Sequence, residues 1–248
     1  MASELLTLSD VSLAYQTVEG ETVAIQNLNL SVREGEFLAI VGPSGCGKTS
    51  VLSLIMGLIP VSSGTIRVEK PDLRMGYMLQ RDHLLDHRTV EKNVLLGLEV
   101  QHRLTPQSRE KALRLLDTYG LGDFKAYKPQ QLSGGMRQKV ALIRTLALEP
   151  DLLLLDEPFS ALDYQTRLTL CDEVYRIIRR EHKSAILVTH DISEAVSMAD
   201  RAAVFSARPA KLQAEIPIDF PVSMPPLERR RQPDFHDYFD RIWEELQS

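Results

Sequence analysis

A glycine-rich segment of the chain carries the residue types that bind phosphate groups. It reads Gly-Pro-Ser-Gly-Cys-Gly-Lys-Thr and follows the apolar run Phe37-Leu38-Ala39-Ile40-Val41. Glycines let successive backbone N–H groups point at phosphate oxygens, and a helix that begins there adds a favourable dipole. In such a loop the lysine contacts the outer phosphates and the threonine hydroxyl can bind Mg²⁺. We therefore expect a nucleoside triphosphate to bind these residues: Gly42, Pro43, Ser44, Gly45, Cys46, Gly47, Lys48, Thr49 and Ser50.

Two carboxylates follow a second apolar run. The run is Leu152-Leu153-Leu154-Leu155, and Asp156 and Glu157 come directly after it. Ligands gather at the carboxyl ends of parallel strands, so both acids are expected to reach the phosphate-binding loop. Asp156 is suited to hold Mg²⁺, and Glu157 is suited to orient or deprotonate the attacking water. The alternative is a pair of solvated acids at the end of a strand.

Two further polar residues also end apolar runs. His190 follows Leu187-Val188-Thr189, and Gln80 follows the run that ends at Leu79. By the same geometry, His190 is expected to act as a polar sensor near the γ-phosphate. The Gln80 amide can meet Mg²⁺ or the water. Taken alone, a histidine or glutamine in such a position is more often an ordinary strand-end residue.

A second anion site is predicted at Ser133-Gly134-Gly135. This turn opens a helix whose apolar residues include Val140 and Ile143. Backbone N–H groups, a serine hydroxyl and a helix N-terminus together suit an anion. One chain rarely needs two γ-phosphate sites for one nucleotide. The pattern therefore predicts a dimer in which each nucleotide lies between the loop of one chain and the Ser-Gly-Gly turn of the other.

The elements that must position these residues alternate between strands and helices. Uniformly apolar strands between helices indicate a parallel sheet covered on both faces. Residues 5–41 are β-rich, and residues from about 89 to 148 are mainly helical, with a helix start at Thr105-Pro106, which places a helical insertion near residues 85–150. The predicted fold class is therefore α/β. We expect a nucleotide-binding domain over residues 1–210, with an N-terminal antiparallel β region and an inserted α-helical subdomain.

Residues 211–248 differ in composition and are predicted to be a C-terminal extension. Prolines interrupt the span from Pro217 to Pro233, which predicts an irregular, extended segment. Within it, Arg229-Arg230-Arg231 is interpreted as a solvated face rather than a nucleic-acid patch. Apolar residues at helical spacing then predict a terminal helix: Phe235, Tyr238, Phe239, Ile242 and Leu246. That helix either packs back on the body or binds a partner.

Composition bounds the remaining possibilities. With 248 residues the chain fits one large domain, or one domain with an inserted lobe, and its net charge of −5 gives no global attraction to nucleic acid. The two cysteines, Cys46 and Cys171, predict neither a disulfide framework nor a metal cluster, and a reducing cytosol is the simplest compartment. The N-terminus is unlike a signal peptide, and no window suits a membrane-spanning helix. Any work at a membrane is expected to go through partners.

Taken together, the motifs resemble those of the ATP-binding subunit of an ABC transporter, over nearly all of residues 5–210. The resemblance implies an ATP-hydrolysing P-loop NTPase (RecA-like) core with ATP and Mg²⁺ as ligands. It also implies that Tyr15 stacks on adenine. The matching segments are the Walker A loop at Gly42–Thr49, the Q-loop at Gln80, the signature motif Leu132-Ser133-Gly134-Gly135-Met136, the Walker B strand Leu152–Asp156, the D-loop Ser160-Ala161-Leu162-Asp163 and the switch His190.

The same resemblance implies partners and a location. They are a second copy of the ATPase subunit, integral membrane permease subunits, and an extracytoplasmic solute-binding protein that acts through the permease. The implied place is the cytoplasmic face of the cell membrane, with peripheral attachment and no nucleic acid.

One departure from the family pattern is Met136, where glutamine is usual. The form Gly-Gly-Met-Arg-Gln is similar to that of importers of nitrate, sulfonates and taurine, as are Asp200-Arg201 and Ala207-Arg208-Pro209. Uptake of such a solute is therefore the expected function. The alternatives are an ABC ATPase for export or lipid movement, a soluble mechanical ABC ATPase, and a binding module without turnover.

Overall fold

Two β-sheets organise the chain in the computed structural model, which describes residues 3–17 and 20–247. The larger sheet has the strand order β5-β6-β7-β3-β8-β9. Its first five strands in that order are parallel, and β9 joins β8 antiparallel. Its strands are β3 (Phe37–Val41), β5 (Met75–Met78), β6 (Leu152–Asp156), β7 (Ser184–Thr189), β8 (Arg201–Phe205) and β9 (Leu212–Pro217).

The smaller sheet is antiparallel and is built from the N-terminal part of the chain. Its order is β2-β1-β4, with β1 at Glu4–Thr17, β2 at Gly20–Arg33 and β4 at Ser63–Val68. This confirms the predicted antiparallel β region and, with the parallel sheet, the predicted α/β fold class.

Along the chain, most of the described helices alternate with the strands of the parallel sheet. Three of them, α2 to α4, fall between β5 and β6, where the sequence predicts an inserted helical subdomain. The start predicted at Thr105-Pro106 is confirmed, because the Thr105 hydroxyl accepts a hydrogen bond from the Ser108 N–H at 3.1 Å. The helices are α1 (Lys48–Ile55), α2 (Val90–Val100), α3 (Pro106–Thr118), α4 (Gly134–Leu146), α5 (Tyr164–Arg180), α6 (Ile192–Met198), α7 (Pro226–Arg229) and α8 (Asp234–Gln247).

The parallel strands are uniformly apolar because both faces of their sheet are buried. Alternate residues of one strand point to opposite faces. Phe37 and Leu153 face a core shared with helices such as α4 and α5, whereas Leu38 and Leu154 face a second core shared with α1 and the antiparallel sheet. The parallel sheet, including the ends of its strands, is thereby held between these two cores. Among the described residues, no helix is long and apolar enough to cross a membrane.

The C-terminal extension is joined to the core sheet. The boundary predicted at residue 210 falls in the turn between β8 and β9, and β9 pairs with β8 over Leu212–Pro217. In α8, Phe235 and Ile242 are buried in the core on the α5 side, so the terminal helix packs back on the body, as one of the two interpretations predicts. Met1, Ala2 and Ser248, the outermost residues of the two predicted ranges, lie outside the described residues.

The prediction of a solvated arginine triplet is wrong for Arg229, whose side chain is fully buried. Its guanidinium donates to the Tyr175 hydroxyl at 2.5 Å, to the Ala199 carbonyl at 3.1 Å and to the Met224 carbonyl at 3.0 Å. It also lies over the Tyr175 ring, 4.8 Å from the centroid. The segment is not wholly irregular either, because α7 forms within it and turns Arg229 inward.

Replacing Arg229 with alanine is expected to destabilise the protein by about 2–4 kcal/mol, because buried carbonyl and hydroxyl groups lose their donor. Urea unfolding followed by circular dichroism would measure the change. Arg231→Ala is the matched control, since Arg231 is exposed in the same segment. Equal stability of the two variants would show that the buried guanidinium contributes nothing.

Candidate functional site

The phosphate-binding loop connects β3 to α1, as predicted. Gly45 and Gly47 have φ angles of 75° and 126°, which side chains strongly disfavour. A methyl group on Gly47 would also lie 3.1 Å from the Ala24 carbonyl oxygen. The loop therefore needs glycine at both positions to bring its N–H groups to the start of α1.

Lys48 is buried within this loop, with 4% of its surface exposed. Its ammonium donates to the carbonyls of Gly42 at 2.7 Å and Pro43 at 3.0 Å. These contacts hold the positive charge directly beside the loop. The first N–H groups of α1 have no partner within the helix, so charge and donors converge on one point.

Asp156 ends β6 and meets the same loop. Its Oδ1 accepts a hydrogen bond from the Thr49 hydroxyl at 3.0 Å, and its Oδ2 accepts one from the Tyr77 hydroxyl at 3.2 Å. Burial raises the pKa of Asp156, while these two hydrogen bonds act in the opposite direction. Burial, together with the charge of Asp156, also raises the pKa of Tyr77. The Thr49–Asp156 pair brings together two hard oxygen ligands of the kind that Mg²⁺ prefers.

Glu157 is the point where three of the predicted catalytic residues meet. Its carboxylate accepts from the Gln80 amide at 3.1 Å and lies 3.2 Å from Nδ1 of His190. Its φ of 43° is unusual for a residue with a side chain, and its N–H donates to the Val188 carbonyl at 2.9 Å. The strained backbone turns the carboxylate out of line with β6 and towards the neighbouring strand ends.

His190 lies in the turn between β7 and α6, and hydrogen bonds hold this turn in place. The Thr189 hydroxyl donates to the Glu194 carboxylate at 2.6 Å and accepts from the Asp191 N–H at 3.0 Å. Asp191 in turn caps α6. Burial raises the pKa of Glu194 to about 7. The turn that carries His190 is therefore held by hydrogen bonds on both sides.

Tyr15 lies at the edge of the phosphate-binding loop. Its hydroxyl is 3.0 Å from the Ser50 hydroxyl, and its ring is partly exposed. A flat, accessible ring beside the start of α1 has the position that stacking on a nucleobase needs. The role of Tyr15 stays a prediction.

The Ser-Gly-Gly turn does not join this cluster within the chain. Ser133 caps α4 by accepting from the Met136 N–H at 3.3 Å. It opens onto a separate cleft of about 320 Å³, between α4 and α5. The cavity beside the phosphate-binding loop is instead lined by these residues: Gly45, Gly47, Lys48, Thr49, Ser50, Glu157 and Arg208.

Sequence reasoning missed some residues of the site. Tyr77 binds Asp156 from β5, and its position within an apolar strand gave no signal of this contact. Arg208, noted above only for a subgroup resemblance, lines the cavity from a turn that is remote in sequence. Contacts of this kind depend on which strands are neighbours, which local sequence patterns do not encode.

Comparison with known proteins is consistent with this geometry. The family described as ABC transporter matches residues 25–160. An uncharacterized ABC transporter ATP-binding protein of Bacillus subtilis is 44% identical, over 98% of this chain and 96% of that protein. The nitrate import ATP-binding protein of Synechocystis is 38% identical over 96% and 93% of the two chains. The aliphatic sulfonates import ATP-binding protein of Bacillus subtilis is 36% identical over 98% and 94%.

Solved structures agree with the sequence comparisons. A dimeric ATP-binding cassette in a post-hydrolysis state, bound to ADP and phosphate, superposes with a TM-score of 0.74 at 30% identity. The match covers 87% of this chain and 99% of that one.

Lys48→Ala is expected to weaken ATP binding about tenfold to a hundredfold, because a charge-assisted contact to phosphate is lost. Titration calorimetry with ATP would measure it. Lys92→Ala, which removes an exposed lysine from α2, is the control and should bind as the wild type does. An unchanged affinity in Lys48→Ala would count against the phosphate-loop assignment.

Glu157→Gln keeps the shape of the side chain but cannot accept a proton. We expect ATP binding to persist, hydrolysis to fall at least about a hundredfold, and a nucleotide-bound dimer to accumulate. Phosphate release and size-exclusion chromatography would measure these effects. Glu149→Gln, before β6 at the opposite edge of the sheet, is the control. Normal turnover in Glu157→Gln would remove Glu157 from the role of base.

Proposed function

This chain belongs to the ABC transporter family as an ATP-binding, ATP-hydrolysing subunit, and we propose that it powers uptake of a small solute of the nitrate, sulfonate or taurine kind. The observation that carries the proposal is its similarity, along nearly the whole chain, to relatives named for nitrate import and aliphatic sulfonates import. Those names describe the relatives, and the solute of this chain is inferred from them.

In the proposed mechanism, the chain's own residues bind the phosphates and direct the water. Lys48 and the N–H groups of the loop bind the phosphate oxygens. Glu157 orients and deprotonates the attacking water, while the Gln80 amide and His190 hold its carboxylate from two sides, at 3.1 and 3.2 Å. His190 would sense the γ-phosphate from its place beside the carboxylate of Glu157.

The residues present fit a magnesium ion. Oδ1 of Asp156 and the Thr49 hydroxyl are 3.0 Å apart. Gln80, whose amide donates a hydrogen bond to the adjacent Glu157, is a third candidate ligand. Mg²⁺ in nucleotide sites is typically held by one or two protein oxygens together with phosphate oxygens, so no larger acidic cage is required. When bound, the ion would neutralise charge on the phosphates.

A second copy of the subunit would complete the site. Ser133 and Gly135 line a cleft away from the phosphate-binding loop of their own chain, and Gly134 lies between them in the same turn. A sandwich dimer brings the turn of one copy to the nucleotide held by the other. Two copies closing on ATP and separating after hydrolysis would then convert the reaction into movement.

A chain of contacts links the catalytic glutamine to the Ser-Gly-Gly helix. Asp82, two residues after Gln80, forms an ion pair with Arg137 of α4 at 3.0 Å. Arg144, about two turns further along the same face of α4, donates to the carbonyls of Asp82 at 2.7 Å and His83 at 2.8 Å. A shift of Gln80 at the nucleotide is therefore transmitted to α4 and to the surface around it. We propose that the permease subunits dock there.

The proposal includes a place and an upstream partner. The subunit would attach peripherally to the permease at the cytoplasmic face of the membrane. An extracytoplasmic solute-binding protein would deliver the solute to the permease from the other side. Nucleic acid has no part in it.

Isolation of the intact complex, with identification of the small molecule held by its capture subunit, tests the proposed uptake. We expect a nitrate-, sulfonate- or taurine-like solute, whose ATP-dependent accumulation in vesicles stops in the Glu157→Gln complex. Extrusion of solute, movement of lipid, or an ATPase that co-purifies with no integral membrane protein would contradict it.

Ser133→Arg is expected to spare ATP binding by the single chain but to block the sandwich dimer, because a bulky cation replaces the serine hydroxyl at the shared phosphate. ATP titration and analytical ultracentrifugation of the variant would measure the two effects separately. Ser223→Arg adds the same side chain at an exposed serine of the C-terminal extension and serves as control. Normal dimerisation and hydrolysis in Ser133→Arg would overturn the shared-site argument.

A further inference from the structure

Arg208 has no assigned role, yet it lies at the nucleotide site. It belongs to the turn between β8 and β9 and lines the cavity of about 170 Å³ beside the phosphate-binding loop. Lys48, Thr49 and Glu157 line the same cavity. An arginine that faces these residues is close to where the phosphates bind.

Hydrogen bonds within the turn and to β2 hold the segment that carries Arg208 in place. The Ser206 hydroxyl donates to carbonyls within the turn, that of Pro209 at 3.1 Å, and accepts from the Lys211 N–H at 3.0 Å. Ala210 is fully buried and exchanges backbone hydrogen bonds with β2, at 2.9 Å to the Ala24 carbonyl and 3.0 Å from the Gln26 N–H. The backbone at Arg208 is therefore fixed relative to the loop rather than carried on a free segment.

The same turn packs closely on the loop backbone. A methyl group built on Gly47 would lie 3.6 Å from the Ala210 Cβ, and one built on Gly42 would lie 3.1 Å from the Phe205 Cβ. Movement of the turn away from the loop would open this packed contact. The residues on both sides of Arg208, Phe205 and Ala210, thus pack against the phosphate-binding loop.

The guanidinium of Arg208 is available to a ligand. Its side chain is exposed, and within residues 3–17 and 20–247 it forms neither an ion pair nor a side-chain hydrogen bond. Its charge reaches the loop, since burial raises the pKa of the Cys46 thiol while the charges of Lys48 and Arg208 act in the opposite direction. Such a cation adds to the positive field of the loop without being neutralised by the protein.

We propose that Arg208 is a phosphate-binding residue for the nucleotide held by the loop of its own chain. The planar guanidinium presents its N–H groups as a fixed fork that matches two phosphate oxygens, whereas the ammonium of Lys48 acts as a point charge. Among the described residues that line this cavity, Lys48 is the other side-chain cation, and the carboxylates of Asp156 and Glu157 lie beside it or adjoin it. Arg208 offsets part of that negative charge. The inference rests on ATP binding by this family and adds a residue to the site.

The test compares the full-length wild type with Arg208→Ala, Arg208→Lys and Lys211→Ala. Lys211→Ala removes a positive charge from the same turn at an exposed side chain that does not line the cavity, which makes it the matched control. Titration calorimetry gives the affinity for ATP, and competition gives the affinity for inorganic tripolyphosphate. Thermal melting checks that each variant is folded.

We expect Arg208→Ala to weaken binding of ATP and of tripolyphosphate by the same factor, about tenfold. Arg208→Lys should recover part of this loss and Lys211→Ala should change neither affinity. Three results would overturn the proposal: an unchanged ATP affinity in Arg208→Ala, an equal loss in Lys211→Ala, or weaker ATP binding with unchanged tripolyphosphate binding, which would move the contact to the base or ribose. Because Lys48→Ala tests ATP binding independently, failure here leaves the proposed function intact.

Discussion

The parallel register of β3, β6 and β7 is the constraint on which the nucleotide site depends. Val41 pairs with Thr189, and Asp156 pairs with Val188, so the three strands end at nearly the same level. The residues that follow them, the phosphate-binding loop, Glu157 and His190, must therefore meet at one edge of the sheet. A slip of one residue in β6 would move Asp156 about 3.3 Å along the strand and away from Thr49.

The charged side chains at this edge of the sheet are stabilised by close contacts with polar groups of the protein. Lys48 is held by loop carbonyls, Asp156 by two hydroxyl groups, and Glu157 by an amide and an imidazole. Buried charges are costly unless such partners are present. Each of these partners is also a group that can contact a phosphate, a metal ion or a water. The same groups are thus available to a bound nucleotide.

Three arginines extend the influence of that frame to distant parts of the chain. Arg137 and Arg144 tie α4 to the segment that follows Gln80, so the nucleotide site and the proposed docking surface share one network. Arg229 ties the C-terminal extension to α5 through Tyr175 and to α6 through the Ala199 carbonyl. The extension is consequently part of the packed body and restrains the helix that follows the D-loop.

Local patterns in the sequence were sufficient to determine the loop at Gly42–Thr49, the strand-end acids, the helix start at Thr105 and the α/β class. Each of these depends on backbone geometry or periodicity over a few residues. The burial of Arg229, the hydrogen bond from Tyr77 to Asp156 and the position of Arg208 beside the phosphate-binding loop were decided only by the tertiary structure. The physical reason is that these contacts join segments far apart in the chain. Strand order and layer packing set such distances, and no single segment encodes them.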